Sequence, residues 1–420
     1  MKKELSSSEL QIIQQQIINE TEPGNILRDF EILLRFVAAN ELKVSGVKQL
    51  LPQSILGELN ESLTNPISIA IQRPVQKSYP NVNGLYLVLR ASGLARIEPR
   101  GKHAVLTLNE QMMQRWQELN PAERYIALLE VWLVHGSDEI LGEHDPHGSF
   151  HKCNVLWHKL AEKKTLIFGQ KRDDNSGLNY YPGLHNLALM ELFGLVRVSV
   201  AKPTPGEGWN VKKIESSPFG LAMSHLLQNK FSEQLEAGIF WRDFGEDTSF
   251  SLFSVLQPYF PLLKNQLTLP LPAKREGVFT FKVSLGKIWR RIAIPSGLTL
   301  YDLSLAILDS VEFDNDHLHQ FTYRNQIGRQ VMIEHSYCEE DLSTEEVGLS
   351  DISLQVGESM KYLFDFGDCW EFNVALESFD PVKSRRKKAV LLESHGKAPE
   401  QYPSWDDDDD ESDEDEDFDE

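Results

Sequence analysis

The sequence predicts a mainly helical N-terminal half followed by an α+β domain, within one chain of 420 residues. Two observations lead to this division. Up to about residue 270 the apolar residues follow the helical period, and one pattern of residues occurs twice. From Gly277 onward apolar and polar residues alternate, as they do in strands. With 41% hydrophobic residues the chain can build a core in each part.

The repeat is the clearest feature of the N-terminal half. Residues 79–97 begin with Tyr-Pro and continue to a Gly-Leu-x-Arg run, and residues 181–198 repeat this pattern one residue shorter. In the first copy the predicted order is helix, short strand, two helices and two strands, which is the order of a winged helix. Self-similarity at this length indicates two copies of one unit. We therefore expect tandem winged-helix-like modules at residues 1–135 and 136–270, joined by an apolar helix over residues 122–135.

A winged helix suggests DNA binding, but the expected recognition helices are poor in cations. Residues 82–92 contain only Arg90, and residues 184–193 contain no Lys or Arg. Duplex binding needs Lys and Arg to neutralise phosphates, so these helices are expected to be buried. The nucleic-acid candidates are instead cations of the hairpins and of a C-terminal basic run: Arg96, Arg100, Lys102, Arg197, Lys202, Lys212, Lys213, Arg385, Arg386, Lys387 and Lys388.

Histidines are dense between the two modules. His144, His147, His151 and Cys153 have side chains that could hold a zinc ion. Their spacing matches no paired-cysteine zinc motif, and Gly142 and Gly148 flank them. A histidine-rich polar surface loop is the favoured interpretation, and zinc is the alternative.

The C-terminal domain is predicted from strands of period two crossed by one helix. The expected elements are strands at 278–285 and 288–294, a helix over 299–311, strands near 321–323 and 331–333, and a hairpin over 360–376. The hairpin turns at Gly367-Asp368.

Five segments in this order resemble the plasmid pRiA4b open-reading-frame-three-like family, also called insertion-element passenger proteins. They are Ile288–Pro295, Leu300–Leu303, Asp316–Phe321, Tyr362–Glu371 and Gly396–Tyr402, and the resemblance covers roughly residues 275–405. The resemblance implies no assigned chemistry. It suggests an association with mobile elements only by analogy.

The motif residues could form a site. The candidates are Arg290, Arg291, His317, His319, Asp365, Asp368, Trp370 and Glu371. Histidines and carboxylates could serve a metal site or general acid–base catalysis. In the favoured structural interpretation, Asp368 bonds to turn amides, Asp365 pairs with Arg290 or Arg291, and Trp370 packs.

Charge is concentrated at the C-terminus. Of the formal net charge of −21, residues 406–420 contribute 13 acidic residues and no cation. Such a block repels itself and has little to bury, so we expect an acidic disordered tail. The tail follows the basic run Lys383–Lys388 closely enough to cover it transiently. The sequence contains no apolar run long enough for a membrane span, and its three widely spaced cysteines favour a reducing cytoplasm.

The leading functional prediction is a non-catalytic binding or adaptor protein with a protein partner and no cofactor or membrane. A nucleic-acid-binding regulator linked to mobile elements is the first alternative. A metal-dependent hydrolase that uses the histidines and aspartates of the C-terminal domain is the second.

Overall fold

The computed structural model describes residues 5–45, 48–101, 103–143, 147–168, 176–236, 251–268, 274–338, 343–381 and 387–402. The chain divides into two compact units. Unit 1 comprises Met1–Leu271 with Arg324–Val331, and unit 2 comprises Pro272–Tyr323 with Met332–Glu420. The predictions for Lys102, His144, Arg385, Arg386 and the tail at 406–420 fall outside the described residues. No described helix is long and apolar enough to cross a membrane.

Unit 1 is mainly helical and contains two small sheets. Its helices are α1 (Ser7–Gln15), α2 (Ile26–Ala39), α3 (Gln53–Ser62), α4 (Pro80–Ala91), α5 (Glu110–Glu118), α6 (Pro121–Glu130), α7 (Ser149–Lys163), α8 (Leu184–Leu192), α9 (Pro218–Glu236) and α10 (Leu252–Leu256). Its strands are β1 (Leu42–Val44), β2 (Ala95–Arg100), β3 (His103–Leu108), β4 (Thr165–Ile167), β5 (Val196–Val200) and β6 (Val211–Ser216).

The two sheets of unit 1 have the same topology. Their strand orders are β1-β3-β2 and β4-β6-β5, and all pairs are antiparallel. In each sheet the strand that comes last in the chain, β3 or β6, lies between the other two. The first copy has its helices and strands in the predicted order, which is α2, β1, α3, α4, β2 and β3. In the second copy a single helical turn at Ser176–Asn179 stands where α3 stands in the first.

The equivalent helices α4 and α8 pack against each other. Every residue of α4 is buried, which confirms the burial expected of this helix. Gly84 makes the close approach possible: a Cβ there would lie 2.8 Å from Leu189 Cγ and 2.9 Å from the His185 carbonyl oxygen. Helices α4 and α8, which contain the residues predicted as recognition helices, therefore pack against each other inside unit 1.

The segment between the copies belongs to the core of unit 1. It forms α6 and a π-helical turn at Val131–His135. The Trp132 ring stacks on Phe193 with centroids 5.1 Å apart, and Tyr125 Oη donates to the Phe193 carbonyl at 2.7 Å. Large aromatic side chains thus attach this segment to the end of α8, where the second copy turns into β5.

Unit 2 is mostly one large antiparallel sheet. Its elements are β7 (Val278–Leu285), β8 (Ile288–Pro295), α11 (Leu300–Ser310), β9 (His319–Arg324), β10 (Gln330–Glu334), β11 (Ser359–Phe364), β12 (Trp370–Asp380) and β13 (Val390–His395). The last residue of β9 and the first two of β10 belong to the stretch Arg324–Val331 that is grouped with unit 1. The strand order is β10-β9-β11-β12-β7-β8-β13. The α+β prediction for this domain is confirmed.

One face of this sheet forms the core with α11. Phe281, Phe321 and Tyr362 alternate inward along their strands and are fully buried. Helix α11 begins with the predicted capping box, in which Thr299 and Asp302 each accept the other's backbone amide. Ser304 of α11 bonds to the Tyr362 hydroxyl at 2.6 Å, so the helix is attached to the middle of the sheet.

Candidate functional site

Three motif segments, distant in sequence, meet at one end of the sheet in unit 2. They are the turn before β9, the turn after β11 and the closing segment, which we define as residues 396–402. Tyr402 Oη donates to Asp316 Oδ2 at 2.6 Å, and Gln401 Nε2 donates to Asp316 Oδ1 at 3.1 Å. Gln401 also bonds to both the backbone amide and the carbonyl of Asp314. These bonds attach the closing segment to the turn before β9.

Asp365 organises the second turn. Its backbone has a positive φ of 57°, and its Oδ1 accepts the amides of Gly367 at 2.8 Å and Asp368 at 3.4 Å. Aspartate tolerates this left-handed conformation and can bond to the amide two residues on. The prediction that Asp368 bonds to the turn amides is therefore wrong, because Asp365 fills that role. Asp365 Oδ2 lies 3.4 Å from His317 Nε2.

The hydrogen bond between Asp316 and Tyr402 sets the protonation of both groups. The bond from Tyr402 lowers the pKa of Asp316 below its ordinary value. Because the carboxylate accepts this hydrogen bond it stays ionised, and the same bond raises the pKa of Tyr402 to about 12. Near neutral pH the tyrosine therefore stays a donor and the aspartate an acceptor, as a structural attachment requires.

Neither candidate arginine pairs with Asp365, so that prediction is wrong. Arg290 donates to the carbonyls of Ser310 at 2.7 Å and His395 at 3.0 Å. Arg291 forms ion pairs with Glu377, at 2.6 Å, and with Glu393. The reason is the strand order: β8 lies three strands from β11, or roughly 14 Å at ordinary strand spacing.

Trp370 and Glu371 have structural contacts. The Trp370 ring packs edge-on against Phe313 with centroids 5.0 Å apart, as predicted. Glu371 pairs with Lys361 of the neighbouring strand at 2.8 Å.

The structure separates the two motif histidines. The His317 side chain is 42% exposed beside Asp365, whereas His319 is fully buried in the core. His319 Nε2 lies 3.0 Å from Thr344 Oγ1. Burial, with a smaller effect from His335, lowers the pKa of His319 to about 4, so this side chain is neutral at pH 7. The eight candidates therefore do not form one catalytic cluster.

The histidine-rich region is partly helical. His147 precedes α7, and its ring stacks on that of His151 with centroids 4.7 Å apart. Cys153 is fully buried, and burial raises the pKa of its thiol, which disfavours the thiolate that zinc needs. Within the ranges that the structure describes, no group of three or more His, Cys, Asp and Glu residues could hold a metal.

Three of the predicted nucleic-acid cations form ion pairs within their own hairpins. Arg96 lies 2.7 Å and Arg100 3.8 Å from carboxylate oxygens of Glu98. Lys213 pairs with Glu215 at 2.7 Å. Arg96 and Arg100 share the single carboxylate of Glu98, so two carboxylates offset two of these three positive charges.

Sequence reasoning missed β13, which is an edge strand of the sheet. It pairs with β8 on one side, and among the described residues no strand pairs with its other side. Val390, Leu391 and Leu392 are 39%, 47% and 47% exposed. A cavity of about 530 Å³ lies between β13 and α11, and its lining includes Leu305, Lys387 and Lys388. Four consecutive apolar residues, Ala389 to Leu392, directly after a basic run were the available signal.

Fold and site together define an α+β sheet domain in which motif residues anchor an exposed edge strand. Residues 278–402 match the family described as plasmid pRiA4b ORF-3-like protein, which confirms the resemblance for this region. An uncharacterized protein of Sinorhizobium fredii is 28% identical over 113 residues, which are 27% of this chain and 57% of that protein. The chain thus spans little more than half of that relative's length.

A solved structure is also similar. It is a protein of unknown function from Methanosarcina mazei Go1, 30% identical, with 30% of this chain and 72% of that chain covered and a TM-score of 0.27. Neither relative's name states a chemistry or a binding partner.

Proposed function

We propose that the protein is a non-catalytic binding protein whose unit 2 takes up an extended, acidic segment of a protein partner along β13. The observation that carries this proposal is the exposed apolar edge strand beside a cavity that bears Lys387 and Lys388. An edge strand offers unpaired N–H and C=O groups to which an added strand can bond.

The motif residues support this role because they hold β13 and its continuation in place. Arg290 bonds to the carbonyl of His395, at the end of β13, and Arg291 pairs with Glu393. Asp316 accepts from Gln401 and Tyr402, six and seven positions after the end of β13. Groups that resembled a catalytic set thus anchor a binding edge.

The cavity indicates the side chains of the partner. Leu391 pairs in register with Ile292, and both line the cavity, as does the half-exposed Leu305 of α11. In an added strand every second side chain would face this apolar wall. The cavity lining holds Lys387 and Lys388 together with Asp302 and Asp309. The Asp302 carboxylate is bound by the amide and hydroxyl of Thr299, and the two lysines, which directly precede the strand residues of the cavity in the chain, favour acidic residues at the other positions.

A partner fits this description better than the chain's own tail. Residues 406–420 contain 13 acidic residues and one apolar residue, Phe418. The tail can therefore compete for the lysines but lacks the alternating apolar residues that the cavity would bury.

For unit 1 we propose two winged-helix-like modules that act as a scaffold and not as DNA readers. The support is the equivalent topology of the two sheets and the mutual burial of α4 and α8. Reading bases requires a helix that is free to enter the major groove. Binding of mixed-sequence DNA with a steep negative dependence on salt would contradict the scaffold role.

The test of the binding proposal uses fluorescence anisotropy with a short synthetic peptide of alternating valine and glutamate. A peptide with lysine in place of glutamate is the control for charge. The full chain should bind the acidic peptide, and Lys387→Glu combined with Lys388→Glu should weaken binding by about tenfold or more. The control variant Lys397→Glu, which is exposed and does not line the cavity, should leave affinity unchanged.

Two outcomes would overturn the proposal. One is equal binding of the acidic and basic peptides. The other is undiminished binding after methylation of alternate peptide amides, because strand addition depends on those donors.

A further inference from the structure

Unit 1 contains a cavity of about 710 Å³ that the sequence did not suggest. Its walls come from both copies of the repeat and from the segment between them. Asn83 belongs to α4, His185 to α8, and Asp138 to the helical turn Asp138–Leu141. The loop before β6 contributes Glu207 and Trp209. The volume lies within the range of small-molecule sites.

A buried ionic cluster forms one wall of this cavity. Asp138 Oδ2 lies 2.6 Å from Lys152 Nζ, and Asp138 Oδ1 lies 3.1 Å from His185 Nε2. The side chains of Lys152 and His185 are only 4% and 11% exposed. Burial alone would raise the pKa of Asp138, but His185 and Lys152 lower it well below its ordinary value. Separating the buried Asp138 carboxylate from Lys152 would leave an unpaired buried charge, which is costly. These side chains therefore stay in place in the cavity wall.

The loop that carries Glu207 and Trp209 is also fixed. Gly206 N donates to the Ala70 carbonyl and Ala70 N donates to the Glu207 carbonyl, each at 2.8 Å. The Glu207 side chain accepts from Thr204 N at 2.8 Å and from Asn210 Nδ2 at 3.3 Å. The backbone bond from Thr204 lowers the pKa of Glu207, which keeps this carboxylate ionised.

The groups around the cavity favour a cation. Three carboxylates line it, those of Asp138, Glu143 and Glu207, against one lysine, Lys77. Lys77 pairs with Glu143 at 3.0 Å. Asp138 is paired with the buried Lys152, which does not itself line the cavity. Among the described residues Glu207 forms no ion pair, and Lys212 acts on it only weakly, so it is the least compensated of the three carboxylates. Tyr180 and Trp209 add aromatic rings, whose faces attract ammonium and guanidinium groups.

We propose that this cavity binds a small organic cation with ammonium or guanidinium groups. The aromatic rings would contact its carbon chain, Glu207 would face one charged end, and the amide oxygens of Asn179 and Asn210 would accept further N–H bonds. This site lies in unit 1 and is independent of peptide binding at β13, so each proposal can fail without the other.

Isothermal titration calorimetry of the full chain can test this with two probes of equal length. Butane-1,4-diamine should bind, and butane-1,4-diol should not, because the diol has the same chain without charge. Agmatine, which has one guanidinium and one ammonium group, should bind as well. Salt is held constant because charge contacts near the surface are screened.

Two variants should change diamine affinity in opposite directions. Glu207→Gln removes the negative charge of this side chain but keeps an acceptor for Thr204 N, and it should weaken diamine binding about fivefold. Lys77→Met frees Glu143 from its competing cation and should strengthen binding about threefold. Both side chains are exposed, so the fold should persist, and an unchanged Tm verifies this.

The matched control is Glu215→Gln, which removes an exposed carboxylate of β6 outside the cavity. The affinity of this variant for the diamine should equal that of the unmodified chain. Equal binding of diamine and diol would overturn the proposal. So would a loss of diamine affinity in Lys77→Met, because removal of a competing cation should strengthen the binding of a cation, or an equal loss of affinity in Glu207→Gln and Glu215→Gln.

Discussion

The close packing of α4 on α8 makes a sharp prediction for two glycines. At Gly84 an added Cβ would meet Leu189 Cγ at 2.8 Å and the His185 carbonyl oxygen at 2.9 Å. At Gly57, inside α3, the nearest atom would be Tyr79 Oη at 3.9 Å, which is an ordinary contact. Gly84→Ala and Gly57→Ala therefore add the same methyl group to two helices in different surroundings.

The change in the free energy of unfolding of each variant is the sum of two contributions. Alanine is favoured over glycine inside a helix by about 1 kcal/mol, which both variants gain. Forcing atoms into a filled contact costs about 1–3 kcal/mol, which only Gly84→Ala incurs. Because a backbone oxygen cannot move aside like a flexible side chain, we take the upper part of that range. Gly84→Ala should destabilise the chain by about 1–2 kcal/mol, and Gly57→Ala should stabilise it by about 1 kcal/mol.

Scanning calorimetry of the full chain measures this difference. For a unit of this size each kcal/mol shifts Tm by about 2–4 °C, so Gly84→Ala should lower Tm and Gly57→Ala should raise it. An increase in Tm for Gly84→Ala equal to that for Gly57→Ala would refute the close approach of α4 and α8.

Three further predictions concern other parts of the chain. Asp365→Ala should destabilise unit 2 by about 2–3 kcal/mol in urea unfolding, because it loses two turn bonds and puts alanine at positive φ, whereas Asp365→Asn should cost less than half as much. His135 and His319 have pKa values of about 4 in the folded chain, against an ordinary 6.5, so the unfolded chain binds more protons between these values. Stability should therefore fall as pH drops from 6.5 to 4, by at most about 3 kcal/mol per histidine, and an unfolding free energy that is flat over this interval would contradict the lowered pKa values of both. Deletion of residues 406–420 removes 13 acidic residues and should raise the affinity for the acidic valine–glutamate peptide several-fold at low salt, with the gain lost at high salt. Unchanged affinity at low salt would exclude competition by the tail.

The parts of the fold that could be predicted are those encoded by local pattern. The alternation from Met360 to Leu376 correctly predicted the paired strands β11 and β12, and Thr299 with Asp302 predicted the start of α11. The burial of α4 followed from its scarcity of cations, since Arg90 is its single Lys or Arg residue. Each of these signals lies within about twenty consecutive residues.

The site depends on contacts between distant residues, which local patterns do not encode. Asp316 meets Tyr402, 86 positions later, and Arg290 meets the carbonyl of His395, 105 positions later. The hairpin turn was assigned to Gly367-Asp368, but the left-handed residues are Asp365 and Cys369. Sequence alone predicts that a turn occurs there and not which side chain accepts its amides.

The most direct measurement of the proposed binding edge is amide hydrogen exchange of β13, residues Val390–His395, with and without the acidic peptide. Strand addition predicts slower exchange at the outward-facing amides of β13, with little change in the central strands β12 and β7, which already have a partner on both sides. Peptide binding that leaves exchange at β13 unchanged would contradict the account.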